Sequence, residues 1–182
     1  MLEIFAVIFS LICVYLTTQN NIWAWPYGIV GVILYGILFW KIHLFAEVIL
    51  QIIFFGQSLY GWYNWAHIRE KLAAPIKSLS KKQYVIYGIV FLTSVAILYF
   101  PLSMYTVASI PLLDSITTSI SLIANWLLAR RYIESWHLWI FVDVLYVGMF
   151  AFKGLILTPI LYLVFFGMAI YGLINWKKEY KK

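Results

Sequence analysis

Of 182 residues, 64% are hydrophobic and 11% charged, and the mean hydropathy is +0.90. A water-soluble domain keeps about a quarter of its residues charged, so this composition excludes one and requires a lipid solvent. The net charge of +6 therefore has no soluble surface from which to hold nucleic acid, and a lone cysteine, Cys13, excludes an intrachain disulfide and a cysteine-built metal cage.

The predicted elements are apolar runs near the ~20 residues that cross a bilayer as helix. The first, Leu2 to Thr18, lacks the basic leader and small-x-small cleavage site of a signal peptide and is read as a transmembrane helix. The second runs from Trp25-Pro26 to Trp40, where Gly28, Gly31 and Gly36 admit a neighbouring helix closely. The third covers Phe45 to Trp65 and is followed by the charged loop His67 to Lys82. A fourth span, Tyr84 to Phe100, is almost free of polar residues and leads into an uncharged stretch, Pro101 to Pro111. The fifth, Leu112 to Ala129, is the most polar of the set. Trp136 to Phe152 and Leu157 to Trp176 form the sixth and seventh, and a basic tail ends at Lys182.

An internal repeat organises these runs. Phe54-Phe55-Gly56-Gln57-Ser58-Leu59-Tyr60-Gly61-Trp62-Tyr63-Asn64-Trp65 returns as Phe165-Phe166-Gly167-Met168-Ala169-Ile170-Tyr171-Gly172-Leu173-Ile174-Asn175-Trp176, with seven of twelve positions identical at an offset of 111. The expected fold is all-α and polytopic. It has seven transmembrane helices as two three-helix repeats joined by a linking helix, in residues 1–66, 67–110 and 111–182. One intervening helix brings both triplets in from the same side, so the repeat is parallel. Eleven Lys and Arg fall on the side of the C-terminus and two, Lys41 and Lys153, on the other. The positive-inside rule then puts the N-terminus outside and the C-terminus in the cytoplasm.

No enzyme site assembles from these residues. The chain has no phosphate-binding loop, no nucleotide-binding glycine fingerprint and no H-E-x-x-H pair. Its three histidines sit near predicted helix ends, which gives no basis for a metal site. Polar residues inside the spans are the informative ones, because each costs energy in lipid unless it faces the bundle or a cavity. Asp114, Thr117, Thr118, Ser121 and Asn125 recur at steps of three and four and make one stripe on the fifth helix. It reads either as hydrogen-bonding glue between helices or as a lining for a polar solute. On the third helix Gln51, Phe54, Phe55, Ser58 and Trp62 share a face, and the repeat aligns Gln51 with Tyr162. Asp143 lies at mid-span. Buried acids without matching bases favour a neutral or cationic solute, and the interspersed aromatics favour a flat ring.

These segments together resemble the PnuC family of vitamin transporters. The resemblance is carried by Leu50-Gln51 through Tyr60-Gly61-Trp62-Tyr63-x-Trp65, by Asp114-x-x-Thr117-Thr118-x-x-Ser121-x-x-Ala124 and by Ala129-Arg130-Arg131-Tyr132-Ile133-Glu134-x-Trp136-x-x-Trp139 with Asp143. It continues through Lys153-Gly154-Leu155-x-x-Thr158, Leu161-Tyr162 and Ala169-x-x-Gly172-x-x-x-Trp176. It implies a bacterial inner-membrane facilitator on a plan related to the SWEET sugar transporters. The substrate it implies is nicotinamide riboside, with thiamine as the alternative within the family, trapped by a cytoplasmic kinase through phosphorylation. The assembly implied is a trimer, and no cofactor is implied. Gln51, Phe55, Asn125, Trp126 and Tyr162 would surround the ring and its amide, and Thr118 and Ser121 the sugar. Ser58 and Trp62 join this set from the third helix, with Asp114 and Asp143 as candidates for gating or coupling. The rival classes are a solute-binding membrane subunit without transport and a membrane enzyme.

Overall fold

The structure, a computed structural model, describes residues 2–41, 43, 45–70, 75–105, 110–152 and 157–181. Seven helices follow one another: α1 (Leu2–Thr18), α2 (Ala24–Lys41), α3 (Phe45–Glu70), α4 (Lys81–Tyr105), α5 (Pro111–Ala129), α6 (Glu134–Phe152) and α7 (Leu157–Tyr180). Five of them, α2 and α4 to α7, are long and apolar enough to cross a membrane. The apolar helix α1 has 17 residues, and α3 carries Glu47, Gln51, Gln57 and Asn64, which lower its hydropathy. The helix ends follow local chemistry. Pro111 opens α5 at a position where a missing N–H costs nothing, and the Asn21 side chain accepts from the Trp23 N–H just before α2.

Helix α1 packs on α2 and α2 on α3; α5 packs on α6 and α6 on α7. Two further contacts tie these groups together, α1 with α7 and α3 with α5. Exchanging the first three helices for the last three returns the same set of pairs. Among the described residues α4 has one helical neighbour, α5. Its Val85, Ile89, Leu92, Ile97 and Phe100 are exposed, as suits a lipid-facing helix.

Four tryptophans hold the middle of this arrangement. Trp25 meets Trp65 edge to face at 5.4 Å and 85°, and Trp136 meets Trp176 at 5.5 Å and 85°. Trp65 and Trp176 lie 6.0 Å apart and join the two pairs. All four are buried, and both members of each pair are related by the same offset of 111 that relates the sequence repeat. Only glycine leaves room for them. A Cβ added at Gly172 would lie 2.6 Å from the Trp136 ring, and one at Gly61 would sit closer still to Trp25. The offset also relates the Tyr35–Phe39 stack on α2 to Tyr146–Phe150 on α6, at 5.8 Å each. It relates the left-handed residues Asn20 and Arg131 as well, with φ of 55° and 63°.

Two polar clasps close the same end of the molecule. Arg131 lies over the Trp65 ring at 4.8 Å and donates to the Asn20 side chain, which in turn donates to Glu179 at 2.8 Å. Burial lowers the Arg131 pKa and Glu179 works in the opposite direction. The Arg131 guanidinium thus joins residues from both halves of the chain. The second clasp fixes the segment before α4. Lys77 forms a parallel bridge with Tyr132, and the buried Glu134 accepts from the Ser78 hydroxyl at 2.6 Å and the Leu79 N–H at 3.0 Å.

Filling either glycine must displace a tryptophan ring in a packed site, an overpacking cost of about 1–3 kcal/mol. Gly61→Ala and Gly172→Ala are each expected to lower the thermal unfolding midpoint in detergent by several degrees, and Gly61→Leu to slow flux as well. A midpoint and a flux unchanged in Gly61→Leu would show that this seam tolerates bulk.

Candidate functional site

The fifth helix positions the polar groups. It touches α3, α4 and α6 and carries ten buried residues, so its hydroxyls and amides must find partners inside the protein. Part of the demand is met by its own backbone. Thr117 Oγ1 donates to the Leu113 and Asp114 carbonyls at 3.0 and 3.1 Å, and Ser115 Oγ to the Pro111 carbonyl at 2.7 Å. The remaining groups reach neighbouring helices. Asn125 Nδ2 donates to Gln57 Oε1 at 2.8 Å, and Gln57 Nε2 donates to the Leu122 carbonyl at 3.2 Å. One turn away, Trp126 stacks on Tyr60 at 4.9 Å and 17°. Asn64 Nδ2 donates to the Ala129 carbonyl at 2.8 Å and closes this α3–α5 seam. Seam chemistry is thus two interlocked amides beside two parallel rings.

A second group lies between α5, α6 and α7. Ser121 Oγ and the Tyr146 hydroxyl are 3.3 Å apart. Tyr162 stacks on Tyr146 at 4.5 Å and on Phe150 at 5.4 Å, and meets Phe165 edge-on at 6.0 Å. Asp143 is 3% exposed and lies within electrostatic reach of both Tyr146 and Tyr162.

The sequence-derived residues fall on these two groups and on a third place. Asn125 and Trp126 lie in the first, Ser121 and Tyr162 in the second with Asp143. Gln51 and Phe55 instead line an open groove of about 280 Å³ between α2 and α3, beside Val32 and Gly36. Ser58 is buried, Thr118 half-buried, and Asp114 half-buried in the first turn of α5. Trp62 is 41% exposed and lines a shallow outer groove with Leu59, Tyr63, Ala66 and His67, away from the amide pair. Sequence reasoning left Gln57, Tyr60 and Tyr146 out of the site. Tyr146 was within reach, because the 111-residue register aligns it with Tyr35. Gln57 was seen on the third helix, but only the packing of α3 on α5 sets it against Asn125.

The family model described as nicotinamide mononucleotide transporter matches residues 1–178. The chain belongs to that family. Among its curated relatives, the nicotinamide riboside transporter PnuC of Escherichia coli K12 is 28% identical over 201 residues, which cover 96% of this chain and 84% of that protein. The PnuC of Neisseria mucosa is 25% identical over 97% of this chain and 72% of its own length. A riboflavin/roseoflavin transporter, RibM of Streptomyces davaonensis, is 24% identical over 93% of this chain and 81% of its own. A crystal structure of the vitamin B3 transporter PnuC superposes with a TM-score of 0.79 at 25% identity, covering 99% of this chain and 82% of that one. Like those relatives this is a multi-pass membrane transporter, not an enzyme.

Removing the Asn125 amide strands Gln57 Oε1 in a partly buried seam, a loss of about 1–3 kcal/mol. Asn125→Leu is therefore expected to reduce vitamin uptake at least about tenfold, while Trp62→Ala, on the outer groove, changes it by no more than about twofold. Parallel uptake assays at matched expression compare the two.

Proposed function

We propose that this chain takes nicotinamide riboside across a bacterial cytoplasmic membrane by facilitated diffusion with alternating access. The observation that carries this reading is the family match along nearly the whole chain, joined to relatives that bear that name. The family description names the mononucleotide, and the chemistry of the chain selects between the two. Among the described residues every Lys and Arg lies outside the helices or at their ends, so none offers a buried base to a phosphate, whereas Asp143 is buried. That balance suits the unphosphorylated, cationic riboside. Phosphorylation by a cytoplasmic kinase would then remove the product from the equilibrium.

In this reading the seven helices all span the membrane as two parallel triplets, residues 1–66 and 111–182, joined through residues 67–110. The interchangeable helix contacts and the tryptophan pairs at a constant offset support that plan. The distribution of basic residues supports a cytoplasmic C-terminus. The trimeric assembly rests on family resemblance. The substrate site is assigned to the seam of Asn125, Gln57, Trp126 and Tyr60 and to the adjoining Thr118, Ser121 and Tyr162, with Gln51, Phe55 and Ser58 contributed from α3. The resemblance to RibM favours riboflavin as the second reading; thiamine is the family alternative named from the sequence.

Uptake by proteoliposomes containing only this protein tests the proposal. Labelled nicotinamide riboside is expected to enter saturably and to stop at equal concentrations on both sides, with accumulation appearing only when a riboside kinase and ATP are enclosed. Faster uptake of riboflavin or thiamine reassigns the substrate, and no flux of any of the three removes transport by the isolated chain.

A further inference from the structure

One side chain in the aromatic region is not accounted for by packing. On α6, Asp143, Tyr146 and Phe150 recur at steps of three and four and so share one face. That face is turned inward, since Phe141 and Val144 on the other side are 55% and 53% exposed while Asp143 is 3% exposed. The rings of Tyr146 and Phe150 stack with Tyr162, so the carboxylate sits at the end of a three-ring ladder. The hydroxyl of Tyr146 is engaged by Ser121. Among the described residues Asp143 has neither a hydrogen bond nor an ion pair. An acid this deep in the bundle is costly unless a positive charge joins it.

Comparison of the halves separates this acid from the architecture. The Tyr–Phe stack is repeated, with Tyr35 and Phe39 of α2 stacked like Tyr146 and Phe150. The acid is not: its counterpart at the 111-residue offset is Val32, in the groove between α2 and α3. A residue that served only the packing of the ladder would have an equivalent in both halves. Glu47, the other acid within reach of Tyr146 and Tyr162, is exposed at the start of α3 and has interactions of its own.

We propose that Asp143, together with the faces of Tyr146 and Tyr162, is the counter-charge that selects a cationic aromatic ring over a neutral one of the same shape. This deepens the transport reading above and rests on it. For nicotinamide riboside the cation is the pyridinium ring. Aromatic faces attract such a charge and a buried carboxylate neutralises it, so the two contributions act on one atom group.

The test compares the oxidised riboside, which is cationic, with its reduced dihydropyridine form, which is neutral and keeps the sugar and the amide. Binding to the full-length protein in detergent is followed by intrinsic tryptophan fluorescence or calorimetry. The native protein is expected to bind the oxidised form more tightly. Asp143→Asn is expected to weaken that binding at least about thirtyfold, the lower range for breaking a buried charge pair, and to change binding of the reduced form less than about threefold. Retained binding of the reduced form also shows that the variant is folded. Equal losses for both forms, or none for either, would overturn the charge-selecting role and leave the transport reading standing. If the native protein binds neither riboside, the transport reading and this inference fall together.

Discussion

The constraint on which the rest of this structure depends is the burial of four indoles from α2, α3, α6 and α7 against one another. In lipid there is no hydrophobic gain in bringing helices together, because the acyl chains are as apolar as the side chains they replace. Association rests on shape and on polar contacts. Trp65 and Trp176, at the heart of the cluster, each take an edge-on partner from the preceding helix and then meet one another. Each such aromatic contact contributes about 0.5–1.5 kcal/mol beyond area burial. The Trp176 indole N–H donates to the Thr17 carbonyl at 3.1 Å, which fastens α7 to the end of α1. Among the described residues the N–H groups of Trp25, Trp65 and Trp136 meet no acceptor.

The cluster also sets which contacts can move. The end of the molecule that holds the indoles is further closed by Arg131, Asn20 and Glu179, and the Glu134 clasp ties the segment before α4 to the α5–α6 turn. Toward the other end the described contacts include ring stacks and an open groove between α2 and α3. A carrier that alternates must exchange these arrangements, and the glycines against Trp25 and Trp136 are where close-packed surfaces would slide.

The two halves repeat their frame and differ in their chemistry. Gly61, Gly172 and the paired tryptophans are common to both, as are the Tyr–Phe stacks on α2 and α6. Gln51 against Tyr162, Gln57 against Met168 and Val32 against Asp143 are not. Symmetric residues maintain a symmetric scaffold, whereas one asymmetric solute needs groups that the scaffold does not repeat. The amide pair Gln57–Asn125 and the ladder ending at Asp143 are both of this unrepeated kind.

The membrane class, the helix number and the apolar body of each helix were legible in the sequence, because the length of an apolar run is fixed by bilayer thickness and needs no partner. The ends were not, since α3 runs on to Glu70, α4 covers Lys81–Tyr105 and α7 reaches Tyr180. The repeat was legible too, since Phe-Phe-Gly and Tyr-Gly-x-x-Asn-Trp recur without gaps, and so was the polar stripe of α5, which follows from helical periodicity alone. What each polar group does was decided by tertiary structure. Thr117 donates its hydroxyl to its own helix while lying against Tyr146 with Ser121, and Asn125 meets Gln57. Those outcomes depend on the rotation and depth of neighbouring helices, which a stripe on one helix does not encode. Trp62 shows the same limit from the other side: its neighbours in sequence are Gly61 and Tyr63, yet Gly61 is sealed against Trp25 while Trp62 faces outward. The recurring motif determined that α3 and α7 are matched elements of the two halves, and the packing of α5 against α3 and α6 decided which of their polar groups meet.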